Sequence, residues 1–185
     1  MKQKTTTLYY NFVNYKNYVL PLVVSDDGLV YVGSFDQAID EVKQRFNGKG
    51  KFIWCEDETK LASVRKQLEE YFAKQRKQFE LSFDWQYGTS FQQEVWAKLL
   101  EIPYGQTSSY GTIAKQIGRP QAVRAVGSAI GRNPLSIIVP CHRVLTSTRQ
   151  LGGYSGGLSM KRELLEIEES IHQIKFPKNG TNSPF

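Results

Sequence analysis

Ser109-Tyr110-Gly111-Thr112-Ile113-Ala114-Lys115-Gln116-Ile117-Gly118-Arg119-Pro120-Gln121-Ala122-Val123-Arg124-Ala125-Val126-Gly127-Ser128-Ala129-Ile130-Gly131 decides the fold of the second half of this chain. Ser109 is placed to cap a short helix that buries Ile113, Ala114 and Ile117, and Gly118 closes it. Arg119-Pro120 restarts the chain, with proline suited to the first helical position, and the next helix ends at Gly131. Two short helices around a Gly-Arg-Pro turn read as helix-turn-helix. The second helix has few groups able to read base edges: Gln121, Arg124 and Ser128 are its polar residues, and the remaining face is small. Such a face suits either close approach to a nucleic-acid backbone or tight helix–helix packing.

Downstream, the apolar run Ile137-Ile138-Val139 predicts a short buried strand, stopped by Pro140. Cys141 then stands beside His142 and Arg143. A thiol reacts as the thiolate, and basic or cationic neighbours lower its pKa. The four residues Pro140-Cys141-His142-Arg143 are therefore compatible with a nucleophile, but by themselves they read more readily as a buried structural cysteine. Upstream, Thr89 or Ser90 with Gln92 or Gln93 forms a capping-box pattern. The helix that follows is expected to bury Phe91, Val95, Trp96, Leu99 and Leu100.

The first half reads as mixed α/β. Leu8–Val13, Tyr18–Val24 and Leu29–Phe35 have strand character, with Asp26-Asp27-Gly28 as a hairpin turn. Asp36 is expected to cap a helix running to Phe46, ended by Asn47-Gly48-Lys49-Gly50, and Lys51–Trp54 forms another strand. A helix is expected over Glu58–Lys77, with Leu61, Val64, Leu68, Tyr71 and Phe72 on its apolar face. No nucleotide-binding glycine loop or catalytic constellation occurs there. These patterns divide the chain into residues 1–88, 89–172 and a flexible tail, 173–185.

The 185 residues are 40% apolar and 23% charged, an ordinary globular composition. No apolar stretch reaches the roughly 20 residues needed to span a bilayer, and no secretory signal follows the basic N-terminus, so a cytoplasmic location is expected, with nucleoid association in a bacterium. Two cysteines without Cys-x-x-Cys spacing, and two histidines, make a structural zinc site improbable; a reducing compartment favours free thiols. Net charge is +1 over residues 1–88 and +5 over 89–185. No acidic residue lies between Glu101 and Glu163, an interval holding Lys115, Arg119, Arg124, Arg132, Arg143, Arg149, Lys161 and Arg162. That asymmetry favours a polyanionic partner over a merely soluble surface.

Phe91–Glu168 resembles the O6-alkylguanine-DNA alkyltransferases, or methylated-DNA–protein-cysteine methyltransferases. The resemblance rests on Ile102-Pro103-Tyr104-Gly105, Tyr110-Gly111, Ile117-Gly118-Arg119-Pro120, Arg124-Ala125-Val126-Gly127, Asn133-Pro134, Val139-Pro140-Cys141-His142-Arg143-Val144 and Leu151-Gly152-Gly153-Tyr154-Ser155-Gly156-Gly157-Leu158. It implies an α/β (α+β) protein: a ribonuclease-H-like N-terminal domain followed by a mostly helical, winged-helix-like alkyltransferase domain.

The resemblance also implies site roles. Cys141 would accept the alkyl group, with His142 as base through a water, Glu168 orienting and charge-balancing His142, and Tyr110 as proton donor. Asn133 would hold the turn around the cysteine. Arg124 would replace a flipped base from a helix in the minor groove, with Gln121, Ala125, Ser128, Arg132 and Tyr110 along the DNA. Val144, Tyr154, Ser155 and Gly156 would line the guanine pocket. The substrate would be double-stranded DNA carrying O6-alkylguanine, and O4-methylthymine as well. The protein would act once, as a monomer, with no cofactor and no metal.

Two departures stand out. Thr146-Ser147-Thr148-Arg149-Gln150 lacks the family's usual Asp-Gly turn, and the first half lacks the zinc-binding cysteines and histidines of some relatives. Two other readings are a DNA-binding protein or regulator that recognises alkylated bases without chemistry, and a cysteine hydrolase. The intact Cys141, His142 and Glu168 disfavour the first. The lack of an evident oxyanion hole disfavours the second.

Overall fold

The computed structural model describes residues 5–175. Strands β1 (Thr5–Tyr15), β2 (Tyr18–Val24) and β3 (Leu29–Val32) form an antiparallel meander, and β4 (Lys51–Glu56) adds parallel to β1, giving the order β3-β2-β1-β4. The parallel pairing is reached through helix α1 (Ile39–Arg45), since a parallel neighbour needs a crossover. Helix α2 (Glu58–Phe72) covers one sheet face, capped by Asp57, whose carboxylate accepts from the N–H groups of Thr59 and Lys60.

Three expectations in this half need correction. Asp36 does not cap α1: it sits at φ +56°, and its Oδ1 accepts from Val19 N at 3.0 Å, so the helix starts later, at Ile39. Strand β3 ends at Val32, three residues short of Phe35. Helix α2 ends at Phe72, well short of Lys77, because Lys74 turns into the left-handed region at φ +61° and its N–H returns to Tyr71 O.

The second half is helical: α3 (Ser90–Leu99), α4 (Tyr110–Gln116), α5 (Val123–Gly131) and α6 (Gly157–Ile167), with two-residue strands β5 (Ser108–Ser109) and β6 (Val144–Leu145) paired in parallel. Thr89 and Gln92 make the expected capping box, and Ser109 caps α4 through Thr112 N. Leu100, expected in the core, is the C-cap of α3 and 39% exposed. Pro120 is not the first residue of α5; a turn with Ala122 N on Arg119 O intervenes, and Ala122 is the N-cap. Gln173, Ile174 and Lys175 do not belong to a free tail. Gln173 bonds Thr107 and Gly105 O, Ile174 packs with Leu145 and Leu165, and Lys175 N donates to Arg149 O. The rest of the expected tail lies outside the described residues.

The halves share one core. Leu20, Leu22, Val32, Leu61, Leu68 and Tyr71 of the first pack with Val95, Leu99, Ile113, Val126, Val139 and Leu164 of the second. The end of β3 also pairs directly with the chain before the cysteine: Val32 N donates to Pro134 O at 2.9 Å, and Ser136 N to Val32 O at 3.2 Å. Among the described residues, no helix is long and apolar enough to cross a membrane.

Candidate active site

The site begins at Asn133, which follows α5. Its Oδ1 accepts from Leu135 N at 2.9 Å, while its Nδ2 donates to Val139 O at 2.9 Å and faces Cys141 Sγ at 3.0 Å. One buried amide thus closes a loop on itself and ends on the thiol. The loop is tight: Ile137 sits at φ +72°, a conformation a β-branched side chain adopts only when its surroundings impose it. This corrects the strand expected over Ile137–Val139. Those residues are fully buried as predicted, but they form consecutive turns, with Ile138 N on Ser136 O and Val139 N on Leu135 O. An apolar run alone does not distinguish the two.

Cys141, His142 and Arg143 make a single 3-10 turn, and all three are buried. Burial above all pushes the Cys141 thiol up; the Asn133 hydrogen bond and the Lys161 charge pull it back only in part, so the thiol rests protonated. His142 points away from it, its Nε2 at 2.8 Å from Glu168 Oε1. Burial lowers the pKa of His142 despite Glu168, which keeps the ring neutral. A neutral ring facing a carboxylate must carry its proton on Nε2. The other nitrogen, Nδ1, is then a bare acceptor, buried and without a hydrogen-bond partner among the described residues.

Glu168, at the C-cap of α6, collects every donor within reach. Arg143 grips it as a fork, Nε to Oε2 and Nη2 to Oε1, both at 2.8 Å. Gly105 N approaches Oε2 at 3.4 Å, and Tyr71 Oη donates to Oε1 at 2.8 Å from α2 in the other half. Burial would raise this carboxyl, but His142 and Arg143 overcome it and hold the group far below the usual carboxylate range. Arg143 sets a buried guanidinium against this carboxylate, alongside the His142 hydrogen bond. Its remaining Nη1 donates to Ile102 O at 2.6 Å.

Around the thiol, Val144 is buried and its carbonyl accepts from Lys161 Nζ at 2.6 Å; the same ammonium reaches Gly152 O at 3.4 Å. Lys161 thereby ties the two chain segments beside the cysteine together, at the cost of a pKa pushed down by burial to about 8. Tyr154 Oη is buried without a partner of hydrogen-bonding geometry among the described residues, though the Cys141 thiol and Ser136 are close enough to influence its ionisation. Ser155 is exposed and Gly156 half-buried. Tyr110 is half-buried, with Oη 3.4 Å from Gly153 O; burial first, then Cys141, raises its pKa, so it keeps its proton. The loop without Asp-Gly is closed by Thr146, whose Oγ1 accepts from Gln150 N, and Arg149 itself takes the left-handed position at φ +61°.

Gln121 in the turn before α5, and Arg124, Ala125 and Ser128 on the helix, are exposed, followed by Arg132, whose Nη1 bonds Ser128 Oγ. Arg124 has no ion-pair or hydrogen-bond partner among the described residues. The cationic interval is less open than its sequence suggests. Arg143 and Lys161 are buried in the site, and Arg119 pairs with Glu94 at 3.1 Å and lies over Phe91. Sequence reasoning missed Tyr71, Arg143 and Lys161 as site residues. Lys161 and Glu168 did carry a signal, since both fall on the apolar stripe of α6 with Leu164 and Leu165; Tyr71 carried none.

A buried Cys-His-Glu constellation in the same half as an exposed helix-turn-helix defines the class: a helix-turn-helix protein with a buried, hydrogen-bonded thiol. Two family profiles match nearly the whole chain: "6-O-methylguanine DNA methyltransferase, ribonuclease-like domain" over residues 8–85 and "6-O-methylguanine DNA methyltransferase, DNA binding domain" over 90–170. An inducible methylated-DNA–protein-cysteine methyltransferase of Bacillus subtilis is 42% identical over 173 residues, 91% of this chain and 94% of that one. The crystal structure of Mycobacterium tuberculosis O6-methylguanine methyltransferase superposes with a TM-score of 0.76 at 39% identity, over 93% of this chain and 96% of that one. The M. tuberculosis protein solved in complex with DNA matches with the same TM-score at 40% identity, over 90% and 94% of the two chains. The chain belongs to the methylated-DNA–protein-cysteine methyltransferase family, and its work is DNA repair by direct reversal.

Proposed function

We propose that Cys141 Sγ takes the alkyl group from O6-alkylguanine, and from O4-methylthymine, in double-stranded DNA, once per molecule and as a monomer without cofactor. The observation that carries this reading is the placement of His142: Nε2 lies 2.8 Å from Glu168 Oε1, and the buried Nδ1 has no hydrogen-bond partner among the described residues, which leaves it free to act as a base. Adjacent residues on one turn do not face each other, so the thiol proton passes to Nδ1 through a water. Sulfur then attacks the alkyl carbon, the C–O6 bond breaks with its electron pair on guanine, and Tyr110 supplies the proton that guanine takes up. A thioether has no ready reversal, so turnover stops there.

A base stacked in a duplex cannot present its O6 substituent to a buried thiol, so the nucleotide must be flipped. Arg124 fills the gap left in the stack, from a helix lying in the minor groove, where small residues permit close approach. Gln121, Ala125, Ser128, Arg132 and Tyr110 follow the backbone. The extruded base sits between Val144 and the Tyr154-Ser155-Gly156 segment, with Asn133 holding the cysteine turn.

Incubation with an O6-methylguanine duplex followed by intact mass and peptide mapping tests the reading. One methyl addition on Cys141 is expected, and Cys141→Ala abolishes it while DNA binding persists. A methyl group on the exposed Cys55, or no addition at all, overturns the assignment.

A further inference from the structure

Tyr71 belongs to the half of the molecule that carries no part of the proposed chemistry, yet its hydroxyl ends on the catalytic carboxylate. The residue is fully buried on α2, stacked edge-on to Phe72 and Tyr104 and tilted against Phe79. Its Oη donates to Glu168 Oε1 at 2.8 Å. That same oxygen also faces His142 Nε2 and Arg143 Nη2, each at 2.8 Å. Three donors converge on an atom with two in-plane lone pairs, so each weakens the hold of the others.

We propose that Tyr71 is a positioning residue of the transfer reaction: by sharing Glu168 Oε1 with His142, the N-terminal half fixes the carboxylate and limits how strongly it pulls His142 toward the imidazolium. The inference rests on the assignment of Cys141 as acceptor and His142 as its base. The charged and titratable groups that bear on His142 are Glu168 and Lys161 from α6, Arg143 and Cys141 from its own turn, and, one step behind Glu168, Tyr71 from α2 and Tyr104 from the loop after α3. Arg143 and Lys161 oppose protonation of His142, and Glu168 favours it. Deleting the Tyr71 hydroxyl strengthens only the favourable partner.

The sign follows directly. In Tyr71→Phe, Glu168 has one donor fewer and binds Nε2–H more tightly, so the folded-state pKa of His142 rises. The base must be neutral to accept the thiol proton, so the acidic limb of the transfer rate moves to higher pH, by about half to one unit.

Single-turnover transfer from an O6-methylguanine duplex, measured against pH, reads that limb. Imidazole NMR titration reads His142 itself; the chain has two histidines, and the exposed His172 serves as internal control. Both should shift upward together in Tyr71→Phe, and His172 should not move. 3-Fluorotyrosine at position 71, nearly the same size and a stronger donor, should shift both downward, which keeps the test open if the phenylalanine variant folds poorly. Unchanged limb and unchanged His142 titration in a folded variant overturn the inference, whatever happens to thermal stability. Absence of transfer in the unaltered protein would instead sink the functional reading, and the titration would still report on the Tyr71–Glu168–His142 link.

Discussion

Arg124 is the residue on which the proposed flipping depends, because it is the one long cation near the middle of α5's exposed face and has no ion-pair or hydrogen-bond partner among the described residues. Its neighbours Ala125 and Ser128 are too short to occupy a vacated place in a base stack. Arg124→Ala should therefore slow repair of duplex DNA by roughly tenfold to several hundredfold, matching an unstacking cost of a few kcal/mol. Reaction with free O6-benzylguanine, which needs no flipping, should change little. Rate measurements on both substrates check this; equal slowing would place Arg124 in the service of the active site or the fold. Cys141, by contrast, is a residue that its neighbours keep quiet. Burial holds it protonated, and Asn133 fixes it, so its reactivity waits for a base already oriented by Glu168.

At the scale of elements, the segment between β6 and α6 forms the lid of the proposed pocket, and it leans on Tyr110 of α4. A Cβ at Gly152 would come within 2.6 Å of Tyr110 Oη and 2.9 Å of its ring. Gly152→Ala should then displace either the tyrosine or the loop, and transfer should fall by up to about 100-fold, the cost of misplacing a reacting group by an ångström. Thermal melting should change far less, since both residues are only half-buried at the edge of the core; a normal transfer rate would show that Tyr110 is not needed where the structure holds it. Helix α6 serves two places at once. Its apolar stripe packs inward, and the same stripe delivers Lys161 to the pocket walls and Glu168 to His142, so its register fixes both.

For the whole molecule, the balance of charge decides how DNA is held. Of the eight cations between Glu101 and Glu163, the structure withdraws Arg143 and Lys161 into the site and pairs Arg119 with Glu94. Lys115, Arg124, Arg132, Arg149 and Arg162 remain exposed. With roughly three or four phosphate contacts, the logarithm of affinity should fall with the logarithm of salt at a slope of about −3 to −4. Unmodified duplexes of different sequence should bind within about 1 kcal/mol of one another, less than a typical mismatch costs a specific reader. Titrations on scrambled duplexes across a salt series test both; a flat salt response, or tight preference for one unmodified sequence, would contradict backbone binding. The shared core gives a second whole-molecule property: the two halves are packed through Val32, Leu135 and Tyr71, so the cysteine turn is supported from outside its own half.

The sequence by itself determined those features whose cause is local. Gly118 and Gly131 as helix ends, Ser109 and Thr89 as caps, and the meander with its Asp26-Asp27-Gly28 turn all follow from backbone preferences within a few residues. Cys141, His142 and Arg143 are adjacent in the chain, and that nearness made them legible as a group, whereas Asn133 was legible only through the family resemblance. What depends on elements meeting was decided only by the tertiary structure. The run Ile137–Val139 became turns instead of a strand because Asn133 captures its backbone, a contact no periodicity reveals. Lys161 read as a surface cation until burial against the pocket carbonyls gave it inward partners, and Arg143, read as a neighbour of the thiol, turned out to grip Glu168. Tyr71 joined the Glu168–His142 hydrogen-bond network from 97 residues away in the chain. A carboxylate buried among donors is stable only when each is held in place, and that condition is met by packing across the whole fold, which no stretch of sequence contains on its own.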